Sequence, residues 1–394
     1  MNNQLVVLRH NNRILSCLME HDQLVQVNIS NENKEGILHN IYIGKVKNIV
    51  KNINAAFVEI ADGQMCYYSL TENTNTIFIN QKNTNKVVIG DEILVQVEKE
   101  GIKTKAPVVT SHLTFVGKYV VLTHGKSTLG ISNKILDSEK RDQLMAVIEL
   151  FKNDSFGLVV RTNAAEAEKT LIKNEIEALI LEYKNLLTYG VHKTCFSLLY
   201  ESPSDYLCDI RDGYDTVVER IITDDCVIYE KIKQYLSTYQ QKDLSKLELY
   251  QDTLLSLKAL YSIETKLEKA LQERVWLKSG GYLVIQPTEA LVVIDVNTGK
   301  AIAGKRNPEE TFERINREAA EEIARQIRLR NLSGIIIIDF IDVKAKASKD
   351  ALMVQLKNLF KKDPVRTVVV DMTSLNLVEI TRKKVRKPLY EQIK

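Results

Sequence analysis

The chain is short of the residues that mark specialised classes. Five cysteines, Cys17, Cys66, Cys195, Cys208 and Cys226, are scattered over its 394 residues without a C-x-x-C pair, which argues against a zinc ribbon or a disulfide-stapled scaffold and for reduced thiols. Six prolines and sixteen glycines leave few flexible linkers, so the units are expected to pack. No segment reaches the roughly 18–20 apolar residues of a membrane span, and the N-terminus lacks the basic stretch and apolar core of a signal peptide. A cytoplasmic location is expected. Neither G-x-G-x-x-G nor a P-loop occurs, which counts against a nucleotide-using α/β enzyme. Excess charge is small: 54 Lys+Arg stand against 51 Asp+Glu, a net +3. Any nucleic-acid site must therefore come from local clustering of Lys and Arg.

What is present reads as about two to four globular domains. Residues 1–35 alternate apolar and polar positions around turn signals at Asn11-Asn12 and Ser30-Asn31-Glu32-Asn33, which predicts a small antiparallel sheet. From 37 to 116, the runs IYIGKVKNIV, AAFVEI, MCYYSL, VVIGDEILVQVEKE and PVVTSHLTF predict five short strands, enough for a small barrel. Helical spacing follows in SEKRDQLMAVIELFKN and in NAAEAEKTLIKNEIEALILEYKNLLTYG, the latter read as capped by Gly190, with one strand at Phe156–Val160 between them. The stretch 243–276 reads as one or two long helices. After 279, strands and helices alternate and the chain ends in a basic helix, the rhythm of a βαβ unit with at least partly parallel strands.

Two apolar strands end in aspartate, LVVID at Asp295 and IIIID at Asp339. Between them Asn307-Pro308-Glu309-Glu310 starts a helix carrying Phe312, Ile315, Ala319 and Ile323 on one face. A right-handed crossover would bring the two strands parallel, with both aspartates at one sheet edge. Carboxylates so placed repel unless a cation lies between them, and hard oxygen ligands with room for water suit Mg²⁺. Asn297, two residues on, faces the same side as Asp295 and could serve a phosphate oxygen or an attacking water. Asp342 ends the same IDFID run at a different offset. Taken alone, strand-end aspartates can equally cap the following loop. Lys300, Lys305 and Arg306 follow as RNA-backbone candidates or as a solvated basic loop.

IDVNTGK, EEIARQIRLRNLSGIIIIDFIDV, GLVVRT and IYIGKV...AAFVEI, in this order and spacing, resemble the bacterial ribonuclease E/G family of endoribonucleases. The resemblance implies an α/β multi-subdomain fold: an RNase H-like subdomain (1–36 and 209–278) with an inserted OB-fold barrel of the S-one type (37–116), a 5′-phosphate-sensor subdomain (117–208) and a DNase I-like catalytic subdomain (279–394). It implies Mg²⁺-dependent hydrolysis of single-stranded, A/U-rich RNA, with preference for a 5′ monophosphate, in RNA processing and decay.

By position, Asp295 and Asp339 match the family's metal ligands and Asn297 its third catalytic residue. The 5′-phosphate pocket matches Arg161, Thr162 and Arg366, with backbone groups around Gly117 and Val121; a guanidinium fork with a hydroxyl is sound phosphate chemistry. Read on its own, Arg161 would be a strand-end ion-pair partner. Phe57 and Tyr67 match RNA-stacking aromatics, Tyr67 standing where the family commonly has phenylalanine. An isolated strand aromatic would otherwise be core. Lys105 matches a residue bordering the RNA channel, with Lys99 a weaker candidate. The sequence ends at Lys394 without the C-P-x-C zinc link of longer members, so a zinc-linked tetramer is not expected, and a homodimer through other surfaces is left open. The run Arg382-Lys383-Lys384-Val385-Arg386-Lys387 reads as a phosphate contact or as a solvated helix end. A non-catalytic RNA-binding protein keeping the barrel and sensor is the competing reading; the intact IDVN and IDFID motifs argue against it.

Overall fold

A computed structural model describes residues 3–31, 36–80, 82, 84–101, 105–212, 218–300 and 308–393. The chain forms two units, one from Met1–Glu32 with Tyr214–Lys394 and the other from Asn33–Gly213. The fold is mixed α/β, and the described residues form four sheets.

In the first unit, the strands Asn3–His10, Arg13–Glu20 and Gln23–Asn31 form an antiparallel meander. Asn11 and Asn12 make its first turn with φ of +48° and +59°, conformations that asparagine tolerates and that match strand twist. Arg220–Thr223 adds in parallel beside Asn3–His10, and Leu247–Leu249 extends the edge.

The unit's second sheet runs Arg274–Trp276, Tyr282–Pro287, Val292–Asn297, Gly334–Asp339, Leu377–Arg382, Thr367–Met372, and only Val292–Asn297 and Gly334–Asp339 pair in parallel. Their crossover contains the Pro308–Leu329 helix. Ile315, Ala319, Ala320, Ile323 and Ile327 lie on its buried stripe and pack on Ile294, Val296, Ile336 and Ile338, the spacing of one helix face against alternate strand positions. Its last turns reach the other sheet: the Arg325 guanidinium donates to the Leu24 carbonyl at 2.8 Å and Arg328 to Gln26 Oε1 at 3.0 Å. Asn307, Lys305 and Arg306 lie outside the described residues.

In the second unit, Ile41–Val50, Ala55–Ala61, Gln64–Ser69, Glu92–Lys99 and Val108–Thr110 close into a five-stranded, OB-like barrel. A separate sheet holds Thr114–Val116, Val120–His124, Phe156–Val160 and Leu129–Ile131. It is backed by the Lys169–Gly190 helix through Ile172, Ile176, Leu179 and Tyr183.

Four sequence expectations are corrected. The run PVVTSHLTF is cut at Ser111: its first strand closes the barrel and Thr114–Val116 joins the neighbouring sheet. The stretch 243–276 holds no long helix. Leu247–Leu249 is recruited as an edge strand, Ser256 caps a four-residue helix, and Ser262 at φ +50° breaks the chain before the short Ile263–Leu271 helix. Gly190 is the last residue of its helix, not a left-handed cap. It is buried, and a Cβ there would lie 2.9 Å from Leu199 Cδ1. The final basic helix is instead the strand Leu377–Arg382, whose period-2 pattern buries Val378, Ile380 and Arg382, followed by a short helix at Leu389–Ile393.

Candidate active site

Asp295 and Asp339 are register partners on the parallel pair, so their backbones lie one strand spacing apart, about 4.8 Å. Burial alternates along both strands, with Ile294, Val296, Ile336 and Ile338 turned to the core. Both aspartates therefore stand on the opposite face. Asn297, two residues on, shares that face and donates from Nδ2 to Asp295 Oδ2 at 2.6 Å. Partial loss of hydration, then the charges of Asp295 and Asp342, push the Asp339 carboxyl above its usual range. Asp342 is exposed and accepts from Asn376 Nδ2 at 2.9 Å, while Asn376 Oδ1 accepts from Lys349 Nζ at 2.7 Å. Among the described residues no group of three or more His, Cys, Asp or Glu side chains converges on one point. A cation here would take two protein carboxylates and fill its remaining positions with water or phosphate oxygens, the donor set that Mg²⁺ accepts and a structural zinc site does not.

In the second unit, Phe57 and Tyr67 are direct cross-strand partners with ring centroids 6.3 Å apart, edge to face. Their strand neighbours Ala56, Val58, Cys66 and Tyr68 are buried and both rings are half-buried. The two rings therefore lie outside the barrel core. Lys105 is exposed; Lys99 is exposed with Glu98 at 3.8 Å.

Around Arg161 the structure brings together Gly117 and Thr162, and adds two carboxylates that sequence reasoning missed, Asp212 on Arg161 and Glu175 on the turn after Gly117. Arg161 ends the Phe156–Val160 strand, donates from Nη1 to the Gly117 carbonyl at 2.6 Å and pairs through Nη2 with Asp212 at 2.8 Å. Burial raises the Asp212 carboxyl, but Arg211 and Arg161 outweigh it and hold it below its ordinary range. The backbone amides of Lys118, Tyr119 and Val120 all donate to the Glu175 carboxylate, at 2.7–2.8 Å, and the Gly117 amide donates to the Val120 carbonyl. The anion-binding concavity of this turn is thus filled by the protein's own carboxylate. One signal could have found Glu175: it lies on the stripe of Ile172, Ile176 and Leu179, where a carboxylate needs a buried partner. Thr162 Oγ1 is 3.1 Å from Ser132 Oγ, and Val121 pairs with Val116 and Val159. Arg366 is exposed and belongs to the other unit. Arg382 is not available to RNA: it is buried in a two-bond pair with Asp363.

Among the described residues no helix is long and apolar enough to cross a membrane. The sequence model of the ribonuclease E/G family matches residues 114–385. The chain is 33% identical over 382 residues to ribonuclease G of Haemophilus influenzae, spanning 94% of this chain and 77% of that protein. It is 32% identical to ribonuclease G of Escherichia coli K12, over 93% of this chain and 76% of that protein. Ribonuclease E of Synechocystis is 32% identical over 94% of this chain and 55% of its own length. On the length of these matches, the chain belongs to the ribonuclease E/G family.

Proposed function

We propose that the protein is an endoribonuclease that hydrolyses phosphodiester bonds in single-stranded, A/U-rich RNA during RNA processing and decay, with Mg²⁺ held by Asp295 and Asp339. The observation that carries this reading is the in-register placement of the two carboxylates on the uncovered face of the sheet. Bound there, Mg²⁺ supplies a Lewis acid that acidifies a water ligand and offsets charge developing on the phosphodiester. The chain's own residues do the positioning. The hydrogen bond from Asn297 to Asp295 fixes the amide so that its carbonyl oxygen is left to accept a hydrogen bond from an incoming water.

The outward pair Phe57 and Tyr67 fits stacking on unpaired bases, and exposed Lys105 fits a contact to the RNA backbone. Preference for a 5′ monophosphate is assigned to the side chains of Arg161 and Thr162, with Gly117 and Val121 shaping the pocket wall; Arg366, the family's remaining match, belongs to the other unit. Since the neighbouring amides are engaged by Glu175, a phosphate would be held here by the guanidinium and hydroxyl, in competition with Asp212.

The test incubates the protein with a short A/U-rich RNA in Mg²⁺ or EDTA, beside an Asp295→Ala/Asp339→Ala double variant, and with a 5′ monophosphate or a 5′ hydroxyl. Internal cleavage that needs both metal and carboxylates supports the reading. RNA that is bound and never cut would replace it with a non-catalytic RNA-binding protein.

A further inference from the structure

Arg330 is a buried cation whose supporting charge among the described residues, Glu322, lies beyond ion-pair distance and is engaged by Arg325 and Gln326. It follows the Pro308–Leu329 helix, is 6% exposed, and makes one side-chain hydrogen bond among the described residues, from Nε to Gln326 Oε1 at 2.6 Å. Its Nη2 is buried with no partner. No carboxylate of the described residues lies within ion-pair distance. Arg382, buried in the same unit, shows the contrast: Nε and Nη2 bind Asp363, while Nη1 binds Asn331 Oδ1 and the Leu332 carbonyl. A buried guanidinium nitrogen without a hydrogen-bond partner among the described residues is costly, and such a site is explained by a group that completes it.

Arg330 also lines a cavity of about 550 Å³ whose other walls include Leu271, Pro287 and Tyr390. That volume is within the range of small-molecule sites. The one carboxylate of the lining, Glu273, already accepts from Gln286. Burial holds the guanidinium near pKa 10, still fully cationic at neutral pH. A planar fork held only at Nε, by Gln326, calls for an oxyanion on its remaining donors, and an apolar wall carrying an aromatic ring calls for a flat, largely apolar body beside it.

We propose that this cavity binds a nucleoside 5′-monophosphate, with the phosphate on Arg330 and the base against Tyr390, Leu271 and Pro287. The site is separate from Asp295 and Asp339 and does not rest on their reading.

The test is calorimetric titration of the full chain with AMP, adenosine, inorganic phosphate and octanoate. AMP should bind, adenosine at least about tenfold more weakly, and Arg330→Gln should lose AMP by about tenfold or more, one charge-assisted hydrogen bond's worth. Arg161→Ala should keep AMP binding, which separates this cavity from the candidate 5′-phosphate pocket. If Arg330→Gln does not fold, Leu271→Trp at the rim, where Leu271 is 42% exposed, narrows the cavity and should produce the same loss. Phosphate binding as tightly as AMP would keep the oxyanion on Arg330 and overturn the nucleoside. No AMP uptake at millimolar concentration, equal uptake by Arg330→Gln, or octanoate binding in place of AMP would overturn the proposal.

Discussion

The carboxylate of Glu175 occupies the space that a side chain on Gly117 would need: a Cβ there would lie 2.4 Å from Oε1 and 2.5 Å from Cδ. Gly117 is required by this approach, because the same carboxylate collects the amides of Lys118, Tyr119 and Val120. Burial pushes the Glu175 carboxyl up, and the three amides with Arg161 only partly oppose it. Gly117→Ala should therefore expel the carboxylate and take from three partly buried amides the acceptor they share, a loss of about 3 kcal/mol. Urea denaturation would measure it. An alanine variant as stable as the parent would mean that Glu175 moves aside without cost and that the turn does not depend on it.

Asp295 and Asp339 stand in like-charge opposition, with no cationic side chain paired to either among the described residues. If they serve as ligands, Asp295→Asn and Asp339→Asn should each lower RNA cleavage by about 10²-fold or more. Stability should hold within about 0.5 kcal/mol or rise, since repulsion is removed and no buried pair is broken. Activity and denaturation measured on the same preparations separate the two effects. Cleavage lost only in proportion to lost folding would remove the catalytic assignment.

How much was legible follows from what each signal depends on. The two aspartates could be placed from periodicity alone, because two apolar strands joined by one amphipathic helix leave little topological choice. The barrel strands could be read for the same reason, through alternation that survives in Ala56, Val58, Cys66 and Tyr68. Periodicity failed where partners override it. The end of the chain reads as a basic helix, yet Val378, Ile380 and Arg382 are held at a strand's spacing by the strands on both sides. The stretch 243–276 has helix formers throughout, but Leu247–Leu249 gains more from pairing with Arg220–Thr223 than from local propensity. Asp212 and Arg330 stayed hidden because their importance depends on what lies opposite, which no spacing records, whereas Glu175 carried the one signal of its place on an apolar stripe.

The basic run near the C-terminus divides into one structural residue and several exposed ones. Arg382 and Asp363 have side chains 2% and 4% exposed, with Nε and Oδ2 2.7 Å apart. Asp363 also accepts from the Thr367 hydroxyl and the Val365 amide. Arg382→Met strands that carboxylate and should cost about 3–5 kcal/mol. By contrast Lys383, Lys384 and Lys387 are exposed, and their replacement by glutamine should leave stability within about 0.5 kcal/mol. If the run touches RNA, those three changes, and not Arg382→Met, should flatten the salt dependence of RNA affinity. A titration at several salt concentrations decides it.

The protein should lose stability on mild acidification through His124. Its Nδ1 lies 2.7 Å from the Tyr183 hydroxyl and its Nε2 3.3 Å from the Asn75 carbonyl. The neutral ring satisfies both when Nε2 donates and Nδ1 accepts. Burial holds the imidazole below its ordinary pKa of 6.5, helped by nearby His112 and opposed by the Asn75 carbonyl. The folded state therefore binds this proton less readily than the unfolded chain. The His124 contribution is fully present above pH 6.5 and is lost as pH falls through that value towards the folded pKa. Carboxylates add their own acid sensitivity at lower pH, so the informative quantity is the difference between the parent and His124→Gln. Urea denaturation at pH 8 and pH 5.5 should show a larger loss for the parent than for the variant. Parallel losses would mean that the ring can take up its proton in place, with the Tyr183 hydroxyl turning to accept from Nδ1.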